Sequence, residues 1–167
     1  MLKELLKEYY EIIKNENSSL EKAAMLVRIL FKDKYDKGNL PYIDHLLTVS
    51  SSVSTEKQKV AALLHDVIED INVPEEELIE IGFSKEVVDI VVILTRKSKP
   101  KEDYNDYIER IINSEIKDAL EIKLADLKHN MDISRIKNPT VKDFDRVEKR
   151  YRPNYIKIQN KLNEMRK

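Results

Sequence analysis

Ala61-Ala62-Leu63-Leu64-His65-Asp66-Val67-Ile68-Glu69-Asp70 decides the reading of this 167-residue chain. Thr55-Glu56-Lys57-Gln58 precedes it, a capping-box pattern that satisfies backbone amides at a helix start. Val60, Ala61, Leu63, Leu64, Val67 and Ile68 then make a helix too apolar for the surface. On that helix His65 and Glu69 share one face at i,i+4, and Asp66 and Asp70 share the adjacent face. A buried helix does not carry an imidazole and three carboxylates on one side unless something cationic neutralises them. A metal ion does so.

Outward from this helix, the other two histidines also stand close to an aspartate. One lies in Pro41-Tyr42-Ile43-Asp44-His45, the other in Lys123-Leu124-Ala125-Asp126-Leu127-Lys128-His129-Asn130. In the second segment Asp126 and Asn130 share a helical face at i,i+4, and Lys123 shares it with Asp126 at i,i+3.

The rest of the chain reads as helix. Leu2, Leu5, Leu6, Tyr9, Ile12 and Ile13 mark a first helix, and Ser18-Ser19-Leu20-Glu21 is a capping box for a second. Residues 36–41 form a turn, and a helix follows over 42–51. Pro74 and three glutamates open a short helix. Residues 85–95 suit a buried helix better than a strand, because of their length and helical neighbours. Helices are expected over 103–113 and 115–131, and a last one from Thr140 that Pro153 kinks or breaks. The expected fold class is all-α, one compact helical domain over 1–167 with its motif-bearing core at about 23–135 and C-terminal helices at 140–167. Two glycines, Gly38 and Gly82, are too few for a hairpin-rich fold.

Composition narrows the function. The chain has no cysteine, which excludes thiolate nucleophiles, disulfides and zinc–cysteine sites. A formal net charge of −1 gives no general reason to bind nucleic acid or an anionic membrane. No run approaches the roughly 18 apolar residues of a membrane span. A cytoplasmic protein is the expectation. Its oligomeric state is not legible.

The three histidine-bearing blocks, in this order, resemble the H…HD…D pattern of the HD superfamily of metal-dependent phosphohydrolases. They look most like the hydrolase domain of the RelA/SpoT family and its small single-domain relatives, over about 23–135. The matching stretches are Pro41-Tyr42-Ile43 before His45, the block from Ala61 to Glu69-Asp70, and Lys123-Leu124-Ala125-Asp126 with His129-Asn130. The resemblance implies that His45, His65, Asp66 and Asp126 hold one divalent ion, and that Glu69 and Asp70 orient or deprotonate the attacking water. Such a nitrogen–oxygen set suits Mn²⁺, with Fe²⁺ or Co²⁺ as alternatives. Asn130 would contact a small nucleotide substrate near its ribose or phosphate, with Lys34, Tyr35 and Lys123 as further substrate contacts. Relatives acting on guanosine tetraphosphate (ppGpp) carry a base-stacking arginine before the first block, where this chain has Lys34.

The expected function is hydrolysis of a nucleotide phosphate or pyrophosphate ester, with ppGpp 3′-pyrophosphohydrolysis the leading form. The alternatives are an HD-type nucleotide monophosphatase or phosphodiesterase, and a non-catalytic metal-stabilised helical binding module.

Overall fold

A computed structural model describes residues 1–166, and these are helical with no strand among them. The order is α1 (Leu2–Leu6), α2 (Tyr9–Lys14), α3 (Ser19–Leu30), α4 (Tyr42–Ser51), α5 (Glu56–Leu64), α6 (Val67–Ile71) and α7 (Glu75–Glu80). There follow α8 (Lys85–Leu94), α9 (Tyr104–Asn113), α10 (Lys117–Asn130), α11 (Val141–Arg146) and α12 (Arg152–Glu164). No helix among the described residues is long and apolar enough to cross a membrane.

The central element is α5. It packs against α3, α4, α8 and α10, and Val60 through Leu64 are all buried. Burying each Leu or Val there stabilises the fold by about 1.5–3 kcal/mol. Its start is a complete capping box: Thr55 Oγ1 accepts from the Gln58 amide at 3.1 Å and Gln58 Oε1 accepts from the Thr55 amide at 3.1 Å. Residues 85–94 are helical, as expected, with the Ser84 hydroxyl capping them.

Three sequence expectations need correction. The apolar run from Thr55 does not continue as one helix through Ile68. It ends at Leu64, and α6 begins at Val67. The His65 imidazole bonds the Ala62 carbonyl at 2.6 Å, the acceptor that a continuing helix would offer to the Asp66 amide. His65 therefore stands in a turn between the two helices, while Asp66, whose carbonyl accepts from the Asp70 amide at 2.9 Å, keeps its one-turn spacing to Asp70. The first helix is likewise two, because Lys7 adopts φ 48°. That turn buries Leu2, Leu6, Tyr10 and Ile13 and leaves Leu5, Tyr9 and Ile12 exposed. At Ser18 the hydroxyl does cap, but the returning carboxylate is Glu16 rather than Glu21.

Pro153 does not break the last helix. A wide π-turn, Val147–Tyr151, joins α11 to α12 just before it. Pro153 has no N–H to continue a regular ladder, and a widened turn absorbs that loss.

Gly82 sits where the α7–α8 connection passes Lys22. Its φ is 106°, and a Cβ there would lie 2.5 Å from the Lys22 ammonium. Lys22 is buried and donates to the carbonyls of Lys14 and Ile81. Gly82→Ala is expected to cost about 1–3 kcal/mol, through backbone strain and the displaced lysine. A urea midpoint equal to wild type would reject this account.

Candidate active site

Helices α4 and α10 and the α5–α6 bend bring the three histidine-bearing blocks together. The ligand atoms of His45, His65 and Asp126, all buried, lie within 4.8 Å of one another. His45 Nε2 is 3.3 Å from Asp126 Oδ1. Asp66 Oδ2 is 3.2 Å from His65 Nε2 and 3.8 Å from His45 Nε2, and it accepts from the Tyr42 hydroxyl at 2.6 Å. His45, His65 and Asp126 thus form one possible ligand group, and Asp66 stands beside it through its contacts with the two histidines.

The donor set fits a cation by a specific observation. His65 Nε2 is buried and has no hydrogen-bond partner. The other ring nitrogen faces the Ala62 carbonyl, so Nδ1 carries the proton and Nε2 presents a lone pair to the carboxylates. A lone pair aimed at Asp66 and Asp126 is repulsive unless a positive centre lies between them.

His45 is oriented differently. Its Nδ1 lies 2.7 Å from His129 Nδ1. Burial, with His45 and Arg135 beside it, pushes His129 down to about 4. A neutral His129 therefore accepts from His45 Nδ1–H, and His45 Nε2 is left to face the cluster.

Asp126 is held from several sides. Lys123 Nζ is 2.6 Å from its Oδ2, and Asn130 Nδ2 donates to its Oδ1 at 2.6 Å. Burial alone would push the Asp126 carboxyl up, but the Lys123 ammonium beside it holds it well below the usual range. Lys123 is correspondingly held well above its ordinary value despite its burial.

The cluster lies in a cleft of about 470 Å³. Glu69 and Asp70, from α6, line it. Glu69 Oε2 accepts from the Arg96 amide at 3.0 Å, and burial pushes its pKa up. Asp70 pairs with Lys34 at 2.6 Å. Tyr35, Lys123 and Asn130, expected as substrate contacts, also line the cleft, whereas Lys34 does not. The ammonium of Lys34 stands over the rings of Phe31 and Tyr42, 5.5 and 5.1 Å from their centroids, and is directed at Asp70. The structure makes it a carboxylate partner rather than a stand-in for a base-stacking arginine.

The sequence reading missed the rest of the wall. Tyr104, Tyr151, Arg146 and Arg150 line the cleft. The i,i+4 spacing of Arg146 and Arg150 was the available signal. Arg135 had none. It pairs with Asp36 at 2.6 Å and fastens the 36–41 loop to the segment after α10. Gly38 permits that closeness, since a Cβ there would meet the Arg135 carbonyl oxygen at 2.3 Å.

No family model matches the chain. It is 31% identical over 128 residues, 70% of its length, to the guanosine-3′,5′-bis(diphosphate) 3′-pyrophosphohydrolase of Borreliella burgdorferi. It is 33% identical over 118 residues, 64% of its length, to the protein of that name from Haemophilus influenzae. The chain spans only 19% and 17% of those two proteins. A solved structure described as a metazoan ortholog of SpoT that hydrolyzes ppGpp shares the fold, with a TM-score of 0.65 at 22% identity, over 89% of this chain and 94% of that one. With its all-helical fold, its three ordered blocks and these likenesses, the chain carries an HD-type domain of the RelA/SpoT hydrolase kind.

Proposed function

We propose that the chain is a divalent-metal-dependent phosphohydrolase that removes the 3′-pyrophosphate of guanosine tetraphosphate. The observation that carries this reading is the orphaned Nε2 of His65, aimed with His45 into a pair of carboxylates. His45, His65, Asp66 and Asp126 hold the ion, and the nitrogen–oxygen set favours Mn²⁺ over a closed zinc site. The bound ion supplies a water of lowered pKa and a polarised phosphoryl oxygen.

The chain's own groups supply the remainder. Tyr42 fixes one Asp66 oxygen by its hydroxyl. Glu69 is anchored through Oε2 to the Arg96 amide, with the Arg96 guanidinium 3.7 Å from Oε1, and its carboxylate takes the proton of the attacking water. Asp70 is neutralised by Lys34 and positions rather than deprotonates. Tyr35, Lys123 and Asn130 stand on the cleft wall where the nucleotide is held.

The test is a panel of nucleotides incubated with the protein and Mn²⁺. Release of pyrophosphate from guanosine tetraphosphate supports the reading. Release of phosphate from nucleoside monophosphates, with no pyrophosphate from guanosine tetraphosphate, transfers it to a monophosphatase.

His129 gives a separate check on the ion site. His129→Phe removes the acceptor of His45 Nδ1–H and frees that ring to turn. Metal affinity should fall by about 10–100-fold, the usual cost of losing an outer-shell partner. An unchanged affinity by titration calorimetry would show that His45 needs no such support.

A further inference from the structure

Arg96, Tyr104 and Arg150 line two cavities at once: the cleft above and a second groove of about 510 Å³. The other walls of the groove are Lys101, Glu102, Asp103, Asn105 and Lys149. The two spaces therefore share an edge, formed by Tyr104 with Arg150 upon it. The Arg150 guanidinium carbon lies 3.9 Å from the Tyr104 ring centroid. Stacked in that way, a guanidinium keeps its N–H edge free for an anion.

The charges of the groove are unequal once their partners are counted. Glu102 is spent: Arg110 Nε and Nη2 reach it at 2.8 and 2.9 Å, and Arg110 holds its carboxyl down at about 2. Asp103 accepts from the Asn105 amide as the cap of α9. Arg96 leans on Glu69 at 3.7 Å, and Lys149 pairs with Asp145 in a contact open to solvent. Among the described residues no ion pair engages Lys101 or Arg150. The inner cleft is mixed: Asp66, Glu69, Asp70 and Asp126 share it with Lys37, Lys123, Arg135 and Arg146, of which Arg135 and Arg146 are paired with aspartates. Lys101 and Arg150, without ion-pair partners among the described residues, therefore leave the groove attractive to anions.

We propose that the groove is a second anion subsite. It takes a phosphate or diphosphate group at the end of the substrate remote from the bond that is hydrolysed. Lys101 and Arg150 are its ligands, and Tyr104 is the sill over which the substrate passes. The anion binding follows from the groove alone; the role in substrate selection rests on the nucleotide-hydrolase reading.

The experiment has two arms. In the first, inorganic tripolyphosphate is titrated into the full chain in EDTA at low salt, where the inner cleft lacks its cation. Wild type should bind, and Lys101→Ala/Arg150→Gln should bind at least about tenfold more weakly, having lost two charge-assisted contacts. Lys142→Ala, an exposed lysine outside both cavities, controls for net charge and should change affinity less than about twofold. Equal binding by wild type and the double variant overturns the proposal, as does an equal loss in Lys142→Ala. In the second arm, the ratio of kcat/KM for guanosine pentaphosphate over guanosine tetraphosphate should fall about tenfold in the double variant. An unchanged ratio overturns the selective role. If neither nucleotide is hydrolysed, the functional reading fails, and the tripolyphosphate arm still decides the subsite.

Discussion

Asp126→Ala is expected to destabilise the metal-free protein by about 3–5 kcal/mol, a large share of the roughly 5–15 kcal/mol available to a domain. The cause is the lysine left behind. Lys123 Nζ is buried, has Asp126 Oδ2 at 2.6 Å, and otherwise faces the rings of Tyr107 and Tyr104 at 4.9 and 5.8 Å. The two rings together do not replace a carboxylate in that setting. Denaturation in EDTA isolates this effect from metal linkage, which stabilises only the form that binds the ion. A second variant separates charge from packing. In Lys123→Met/Asp126→Ala no buried charge is stranded, so most of the loss should be recovered. The double variant must still fail to gain stability when Mn²⁺ is added, whereas wild type gains it. A loss below about 1 kcal/mol for Asp126→Ala would show that water reaches Lys123 and that the pair is not truly buried.

The same pair shows what the sequence disclosed. The i,i+3 spacing of Lys123 and Asp126 on one helix was legible, and the structure has them in contact. The helical class was legible too, because caps such as Thr55 with Gln58 and apolar spacing within α8 are local signals. Coincidence of His45, His65, Asp66 and Asp126 was reached through the order of the blocks, not through spacing, since they come from elements far apart in the chain. The bend at His65 was not legible. It depends on a side chain taking a backbone acceptor, which periodicity does not report. Arg135 and Tyr104 escaped for another reason. Their place on the cleft depends on how the segment after α10, and then α9 and the π-turn, pack back across α10, and a tyrosine at helical spacing looks the same whether it faces a core or a substrate. Lys34 was visible as a cation near the first block, but Asp70 as its partner lies 36 positions away by number and shares no local pattern with it.

Glu69→Gln should lower kcat/KM by roughly 10²–10⁴-fold, the usual cost of a lost general base, with metal content unchanged. The substitution keeps the shape of the side chain. A glutamine Oε1 can still accept from the Arg96 amide, so the turn after α8 stays anchored. What disappears is the capacity to take a proton. The pH profile makes the assignment specific. Burial pushes the Glu69 pKa above its ordinary value, offset in part by the Arg96 amide and guanidinium. A base works in its ionised form, so wild-type kcat/KM should rise with pH through that raised pKa and then level off. The glutamine variant should lack this acid limb while keeping any limb that belongs to the ion and its ligands. Asp70→Asn is the comparison. Asp70 is already matched by Lys34 at 2.6 Å, so its loss should disturb position more than proton transfer and leave the acid limb in place. If Glu69→Gln retains full activity, or if Asp70→Asn alone erases the acid limb, the two carboxylates must exchange roles.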